Sequence, residues 1–347
     1  MKSVCVIGVG GTSNTGKTTL IEKVLLELKR QGIVVGVLKH THHTIDIDSE
    51  NKDTARFYRA GADFVCANDD RQGFARYPQE QANIFAALDR FPRSLDLILV
   101  EGYKDAPIPK IHIVTEMSRG TKHAGDIMLL HKGDHRNYET FLKYIYTQMS
   151  SVYSKRLIQG GLLVGGKSTR MGRTKALLEM NGVTLIERSS ATLSKVAKKT
   201  VLLGKTDLPE SLQNVDMLPD IDGSAGPLSG LLSAFRWAPD STWIISAVDM
   251  PFMHEDAWHW LLGQRRPGVW AILPRLKGKQ HVETTGACYE PMIFDFVESI
   301  NQTGKSRLQK IAEHPKVITP EIPGPISSAW VNINTLDEWK QALSSSD

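Results

Sequence analysis

Two stretches of this sequence combine glycines with cations in ways that suit phosphate chemistry. The first is Gly10-Gly11-Thr12-Ser13-Asn14-Thr15-Gly16-Lys17-Thr18, with Thr19 next. An apolar strand expected over 2–9 leads into it, and Leu20, Ile21, Val24, Leu25 and Leu28 follow at helical spacing. Strand, glycine loop and helix in that order make a P-loop. Backbone N–H groups from Gly11, Thr12, Ser13, Asn14, Thr15, Gly16, Lys17, Thr18 and Thr19 would surround a phosphate. Lys17 would reach the β and γ oxygens, and the Thr18 hydroxyl would bind Mg²⁺. The second stretch runs from Gly165 to Lys175 and carries Gly166, Lys167, Arg170 and Arg173. With Gly161 it meets the letter of a second P-loop pattern. Leu162, Leu163 and Val164, however, read as the end of a buried strand over 157–164, so the loop starts at Gly165 and the P-loop reading is rejected there. What remains is a short cationic glycine loop able to bring N–H groups and positive charge onto a triphosphate.

Two carboxylates stand where such loops need them. The apolar run 95–100 ends in Glu101, the Walker-B position beside a P-loop magnesium, whereas Asp96 lies at the wrong end of that strand. The run 243–248 ends in Asp249-Met250-Pro251. Ligands of open α/β sheets sit at the carboxyl ends of strands, so Asp249 is read as a metal ligand in preference to a capping aspartate. Lys39-His40-Thr41-His42-His43, with Asp46 and Asp48 beyond, invites a zinc hypothesis. The only nearby cysteine, Cys66, is unpaired, and a polar loop at the mouth of the nucleotide site is preferred. After a strand over 127–130, His131-Lys132-Gly133-Asp134 either reads a guanine base through Lys132 and Asp134 or is an exposed polar loop. Gly304-Lys305-Ser306 lacks the upstream glycine of a P-loop and is set aside.

Strands and helices must alternate to position these residues, which predicts an α/β protein of two domains with helices on both faces of each sheet. The expected boundaries are a P-loop domain over 1–150, its closing helix at 138–149, a polar linker at 151–156 and a second domain over 157–347. The length of 347 residues suits two cores, and a net charge of +4 gives no case for nucleic-acid binding. No uncharged apolar run is long enough to span a bilayer and no signal peptide is expected. Three scattered cysteines, Cys5, Cys66 and Cys288, fit a reducing cytoplasm.

The second half resembles the molybdenum cofactor guanylyltransferase (MobA-like) family, a branch of the GT-A-type nucleotidyltransferases. The resemblance rests on the 162–175 segment, on Gly226-Pro227-Leu228-Ser229-Gly230 and on Asn332-Ile333-Asn334-Thr335. Departures are Val164 for alanine, Thr174 for aspartate, Gly204 for asparagine, Leu336 for proline, and a missing proline in 281–289. The resemblance implies GTP binding by Leu163, Val164, Gly165, Gly166, Lys175, Asp220 and Asp249. It implies catalysis by Arg170, Lys175 and Asp249, and molybdopterin contacts by Asn332 and Asn334. Asp222 aligns less clearly and is left as a turn residue. The first half resembles the MobB-like GTP-binding adapters of molybdopterin guanine dinucleotide synthesis, on the P-loop, 38–43 and 95–103. That resemblance implies GTP binding with weak GTPase activity at most, and a homodimer.

Together the resemblances imply a fused adapter and guanylyltransferase that uses Mg²⁺, GTP and molybdopterin. Proteins of molybdenum insertion and molybdoenzyme maturation are the expected partners, with neither nucleic acid nor a membrane. Two competing readings remain: a transferase of the same fold using CTP or a sugar-phosphate acceptor, and a non-catalytic tandem nucleotide-binding scaffold.

Overall fold

The computed structural model describes residues 4–41, 53–62, 64–77, 83–115, 126–165, 175–224, 226–303, 308–335 and 338–339. The first half is built on β1 (Cys5–Gly11), α1 (Lys17–Arg30), β2 (Val35–Lys39), α2 (Asp53–Arg59), β3 (Val65–Asn68), β4 (Gly73–Arg76), α3 (Ile84–Leu88), β5 (Leu97–Glu101), β6 (Lys110–Val114), β7 (Asp126–His131) and α4 (Asn137–Lys155). Its five-stranded sheet has the order β2-β5-β1-β6-β7, with every pairing parallel. Both faces are covered, and this accounts for the uninterrupted apolar run in β5. Leu97 and Leu99 pack with α1 and α4 around Val24, Leu28, Phe141 and Ile145, while Ile98 and Val100 pack on the other face with Ile84 and Leu88 of α3. A separate antiparallel hairpin pairs β3 with β4.

The second half contains β8 (Ile158–Leu163), β9 (Glu179–Met180), β10 (Val183–Thr184), α5 (Leu185–Ser194), β11 (Lys199–Leu203), β12 (Met217–Leu218), α6 (Pro227–Trp237), β13 (Thr242–Ala247), α7 (Glu255–Leu262), β14 (Ala271–Ile272), β15 (Ala287–Tyr289), α8 (Phe294–Gln302) and β16 (Val317–Ile318). Its seven-stranded sheet runs β12-β11-β8-β13-β15-β14-β16, with β15 alone antiparallel to its neighbours. Leu163, Leu203 and Ile245 face α6 and α8, whereas Leu162, Leu202 and Ile244 face α5 and α7. The molecule is therefore a mixed α/β protein of two layered sheets.

Two sequence expectations change. β1 runs on through Gly10 and Gly11, which pair with His112 and Ile113, so the loop proper starts at Thr12. The polar stretch 151–156 is no extended linker, because α4 continues to Lys155. Met149 is buried in the first core and Tyr153 in the second, so one helix enters both. Its serines misled: Ser150 and Ser154 occupy the exposed face while Tyr153 is buried. The expected turn at Asn181-Gly182 is present, with both residues at positive φ between β9 and β10.

α5 opens with a capping box: the Thr184 hydroxyl accepts from the Glu187 N–H, and the Glu187 carboxylate accepts from the Thr184 N–H. Thr184→Ala is expected to cost about 1 kcal/mol. Urea unfolding should show a lower midpoint at unchanged slope, and an unmoved midpoint would contradict the cap.

Candidate functional site

At the end of β1 the backbone turns through Asn14 at φ 60° and Gly16 at φ 86°, and the α1 helix starts at Lys17. Left-handed residues interleaved in such a loop turn successive N–H groups inward, a geometry suited to an anion at a helix N-terminus. The loop is held by the buried Thr15, whose hydroxyl donates to the Thr12 carbonyl at 2.9 Å. Lys17 donates to the same carbonyl at 2.6 Å. Burial pulls the Lys17 pKa down, Glu101 opposes this, and Lys104 and Lys39 add to it. A cation held among cations in this way favours an arriving polyanion.

Glu101 stands at the carboxyl end of β5, beside β1, where its carboxylate lies 3.4 Å and 3.5 Å from the Thr18 hydroxyl and 3.7 Å from Lys39 Nζ. A hydroxyl and a carboxylate converging beside a phosphate cradle are the hard oxygen donors that Mg²⁺ takes together with substrate phosphates, so the residues present fit that ion. His40 stacks on Tyr103 at 4.3 Å between ring centres. His42, His43, Asp46 and Asp48 lie outside the described residues.

Lys132 and Asp134 sit just past β7, on the same carboxyl edge of the sheet as the P-loop and two strands away from β1. The Asp134 carboxylate is already engaged: Arg136 donates to it from Nε at 3.1 Å, from Nη2 at 3.0 Å and from its backbone N–H at 2.9 Å. The Arg136 side chain and then its N–H hold the Asp134 pKa down at about 2.

In the second half four of the described candidate positions lie just past carboxyl strand ends. Gly165 follows β8, Gly204 follows β11, Asp220 follows β12 and Asp249 follows β13. Gly204 has φ 103°, and a Cβ there would stand 3.1 Å from the Gly165 nitrogen, so only glycine lets these two turns touch. A cleft of about 1060 Å³ opens beside them, lined among others by Gly165, Lys205, Asp220, Asp222, Ser233 and Arg236. The Ile221 N–H donates to Ser229 Oγ at 2.7 Å, and Ser233 donates to the Pro219 carbonyl at 2.7 Å. The serines of α6 thus pin the Asp220 turn, and Asp222, read from sequence only as a turn residue, lines the cleft with it.

Beside this cleft Lys175, Asp249 and Asn334 come together. Lys175 Nζ lies 3.4 Å from Asp249 Oδ2 and donates to Asn334 Oδ1 at 3.2 Å. The segment 332–335 is brought alongside by the Ile333 N–H, which donates to the Asp249 carbonyl at 2.9 Å. The Asn332 side-chain oxygen is buried without a hydrogen-bond partner among the described residues. Leu163 and Val164 are buried, and the Val164 N–H donates to the Leu203 carbonyl, so they support the turn from within the core. A half-exposed carboxylate beside a lysine fits Mg²⁺ held mainly by substrate phosphates, since that ion commonly takes one or two protein carboxylates. Gly166 and Arg170 lie outside the described residues.

Sequence reasoning gave Glu283 no role. Burial raises its pKa, His281 opposes this, and Asp249 adds to it. No spacing in the sequence connects two acids separated by 34 residues across a sheet.

Residues 6–129 match the family model for molybdopterin guanine dinucleotide synthesis protein B (MobB). Residues 160–317 match that of the MobA-like NTP transferase domain. A molybdopterin-guanine dinucleotide biosynthesis adapter protein of Haemophilus influenzae is 42% identical over 107 residues, covering 30% of this chain and 60% of that protein. The chain thus spans about 60% of the length of the adapter relatives it matches. A probable molybdenum cofactor guanylyltransferase of Bacillus cereus is 26% identical over 190 residues, covering 53% of this chain and 94% of that protein. The crystal structure of molybdopterin-guanine dinucleotide biosynthesis protein A from Archaeoglobus fulgidus aligns with TM-score 0.47 and 23% identity, covering 54% of this chain and 98% of that one.

Proposed function

We infer that this chain, a MobB-like domain followed by a MobA-like NTP transferase domain, is a bifunctional protein of molybdenum cofactor biosynthesis. The C-terminal half transfers GMP from GTP to molybdopterin and releases pyrophosphate; the N-terminal half binds GTP as an adapter. The meeting of Lys175, Asp249 and Asn334 beside the Asp220 cleft carries the reading. It brings one cation, one carboxylate and one amide to one point, an arrangement that supports guanylyl transfer.

In that reaction the terminal phosphate of the pterin attacks the α-phosphorus of GTP. The new O–P bond forms as the bond to the β-phosphate oxygen breaks, and the electron pair leaves with pyrophosphate. The nucleophile is already ionised, so no general base is needed and catalysis is positioning and charge neutralisation. Lys175 and Arg170 neutralise charge growing on pyrophosphate, while Gly165 and Gly166 offer N–H groups. Leu163, Val164 and Asp220 shape the nucleotide cleft, and Asn332 and Asn334 hold the pterin. Mg²⁺, held by Asp249 and the phosphates, would supply further neutralisation of the α-phosphate and leaving group. In the N-terminal half Thr18 and Glu101 would hold a second Mg²⁺. Lys132 and Asp134 contact guanine there, with Arg136 orienting the carboxylate. Proteins of molybdenum insertion and molybdoenzyme maturation, a homodimeric assembly and a cytoplasmic setting complete the proposal.

Titration of the full chain with GTP tests the two-site arrangement. It should bind two nucleotides per chain, with Lys17→Ala abolishing one and leaving the other. A single site in the unaltered chain, or two in Lys17→Ala, would contradict it.

A further inference from the structure

Asp96, which plays no part in either nucleotide site, is 2% exposed at the start of β5. Its Oδ2 accepts from the Val34 N–H at 2.9 Å, and its Oδ1 accepts from the Tyr153 hydroxyl at 3.2 Å and from Trp270 Nε1 at 2.8 Å. Trp270 immediately precedes β14 of the second sheet, so this carboxylate ties the two halves together. Around it, Arg93 Nη1 donates to the Pro239 carbonyl at 3.0 Å and to Asp240 at 3.2 Å. A Cβ on Gly268 would come within 3.0 Å of Ile33.

All these residues share one position relative to their strands. Ile33, Val34, Arg93 and Asp96 precede β2 or β5. Asp240 precedes β13, and Trp270 precedes β14, which runs parallel to β13 through the antiparallel β15. The two sheets are therefore joined by their amino edges, with α4 passing through the joint into both cores. The residues of both nucleotide sites lie at the opposite, carboxyl edges. At about 3.3 Å per residue, the five residues of β5 and the six of β8 stand between the joint and the two sites, together about 36 Å of strand.

We propose that the two nucleotide sites of one chain point away from each other at the ends of a single rigid body. A nucleotide held by the P-loop is not passed to the transferase cleft of the same chain. That consequence rests on the transferase reading; the geometry does not.

Spin labels at Lys104→Cys and Asp207→Cys in a Cys66→Ser background test the geometry in the full chain, since both positions are exposed and the other two cysteines are buried. Expected is one narrow distance distribution beyond about 30 Å, unchanged by GTP. Any population below that distance, with or without GTP, would overturn the proposal. The second arm preloads the full chain with labelled GTP, then adds molybdopterin with excess unlabelled GTP. The labelled share of the dinucleotide should be equal in the unaltered chain and in Lys17→Ala. A larger share in the unaltered chain would show direct transfer and overturn the proposal. Absence of any dinucleotide would sink the transferase reading, and the spin-label distances would still decide the geometry.

Discussion

Asp249→Ala is expected to lower the rate of pyrophosphate release at least ~100-fold, about 2.7 kcal/mol of transition-state stabilisation. Its carboxylate stands at the carboxyl end of β13, 3.4 Å from Lys175 Nζ. Removing it deletes the proposed anchor for the phosphate-bound cation and frees Lys175 to pair elsewhere. The backbone role of the residue is untouched, because the Ile333 N–H still meets the carbonyl at 249. Lys175→Ala should act on the same step, so the double variant should lose much less than the product of the two single losses. Unfolding midpoints should stay close to those of the unaltered chain. Near-normal turnover in either single variant would contradict the assignment.

Glu290→Ala should have the largest effect on stability. The Glu290 carboxylate is 1% exposed and accepts from Arg156 Nη1 at 2.6 Å, Arg265 Nε at 2.6 Å and the Thr242 hydroxyl at 2.7 Å. Alanine leaves two guanidinium groups buried without their counter-charge, a cost of about 3–5 kcal/mol. For a domain of this size that lowers Tm by about 6–20 °C. The damage should extend to the joint, because Arg265 also donates to the Tyr153 carbonyl at 3.1 Å. Burial pushes the Glu290 pKa up, but Arg156 and Arg265 outweigh it and leave the net value below the ordinary carboxylate range. A depressed folded pKa means that this stabilisation is present at neutral pH and is lost as pH falls through the folded value. The gap in stability between the unaltered chain and Glu290→Ala should narrow in acid. A loss under 1 kcal/mol at pH 7, or a gap that widens in acid, would contradict this account.

What could be read from the sequence follows the physics of local order. The P-loop was legible because strand, glycine loop and helix are contiguous. The positions of Glu101 and Asp249 at carboxyl strand ends were legible because each ends an apolar run of a buried parallel strand. The resemblance gave Lys175 and Asn334 separate roles, and their meeting, 159 residues apart, was legible neither from it nor from any spacing. The joint was not legible. Asp96 reads as an ordinary strand-start acid, and its partners Tyr153 and Trp270 lie 57 and 174 residues away. The serines around Tyr153 looked like a linker because an exposed helical face and a loop share a composition. Arg156, Arg265 and Glu290 likewise form one buried cluster from three distant segments, and no periodicity announces it.

The measurement that tests the central claim most directly is pyrophosphate release by the purified chain with Mg²⁺ and GTP, CTP or ATP, with and without molybdopterin. Release with GTP only when the pterin is present is the predicted result. Release with CTP in place of GTP, or none with any nucleotide from protein shown to bind GTP, would contradict a guanylyltransferase.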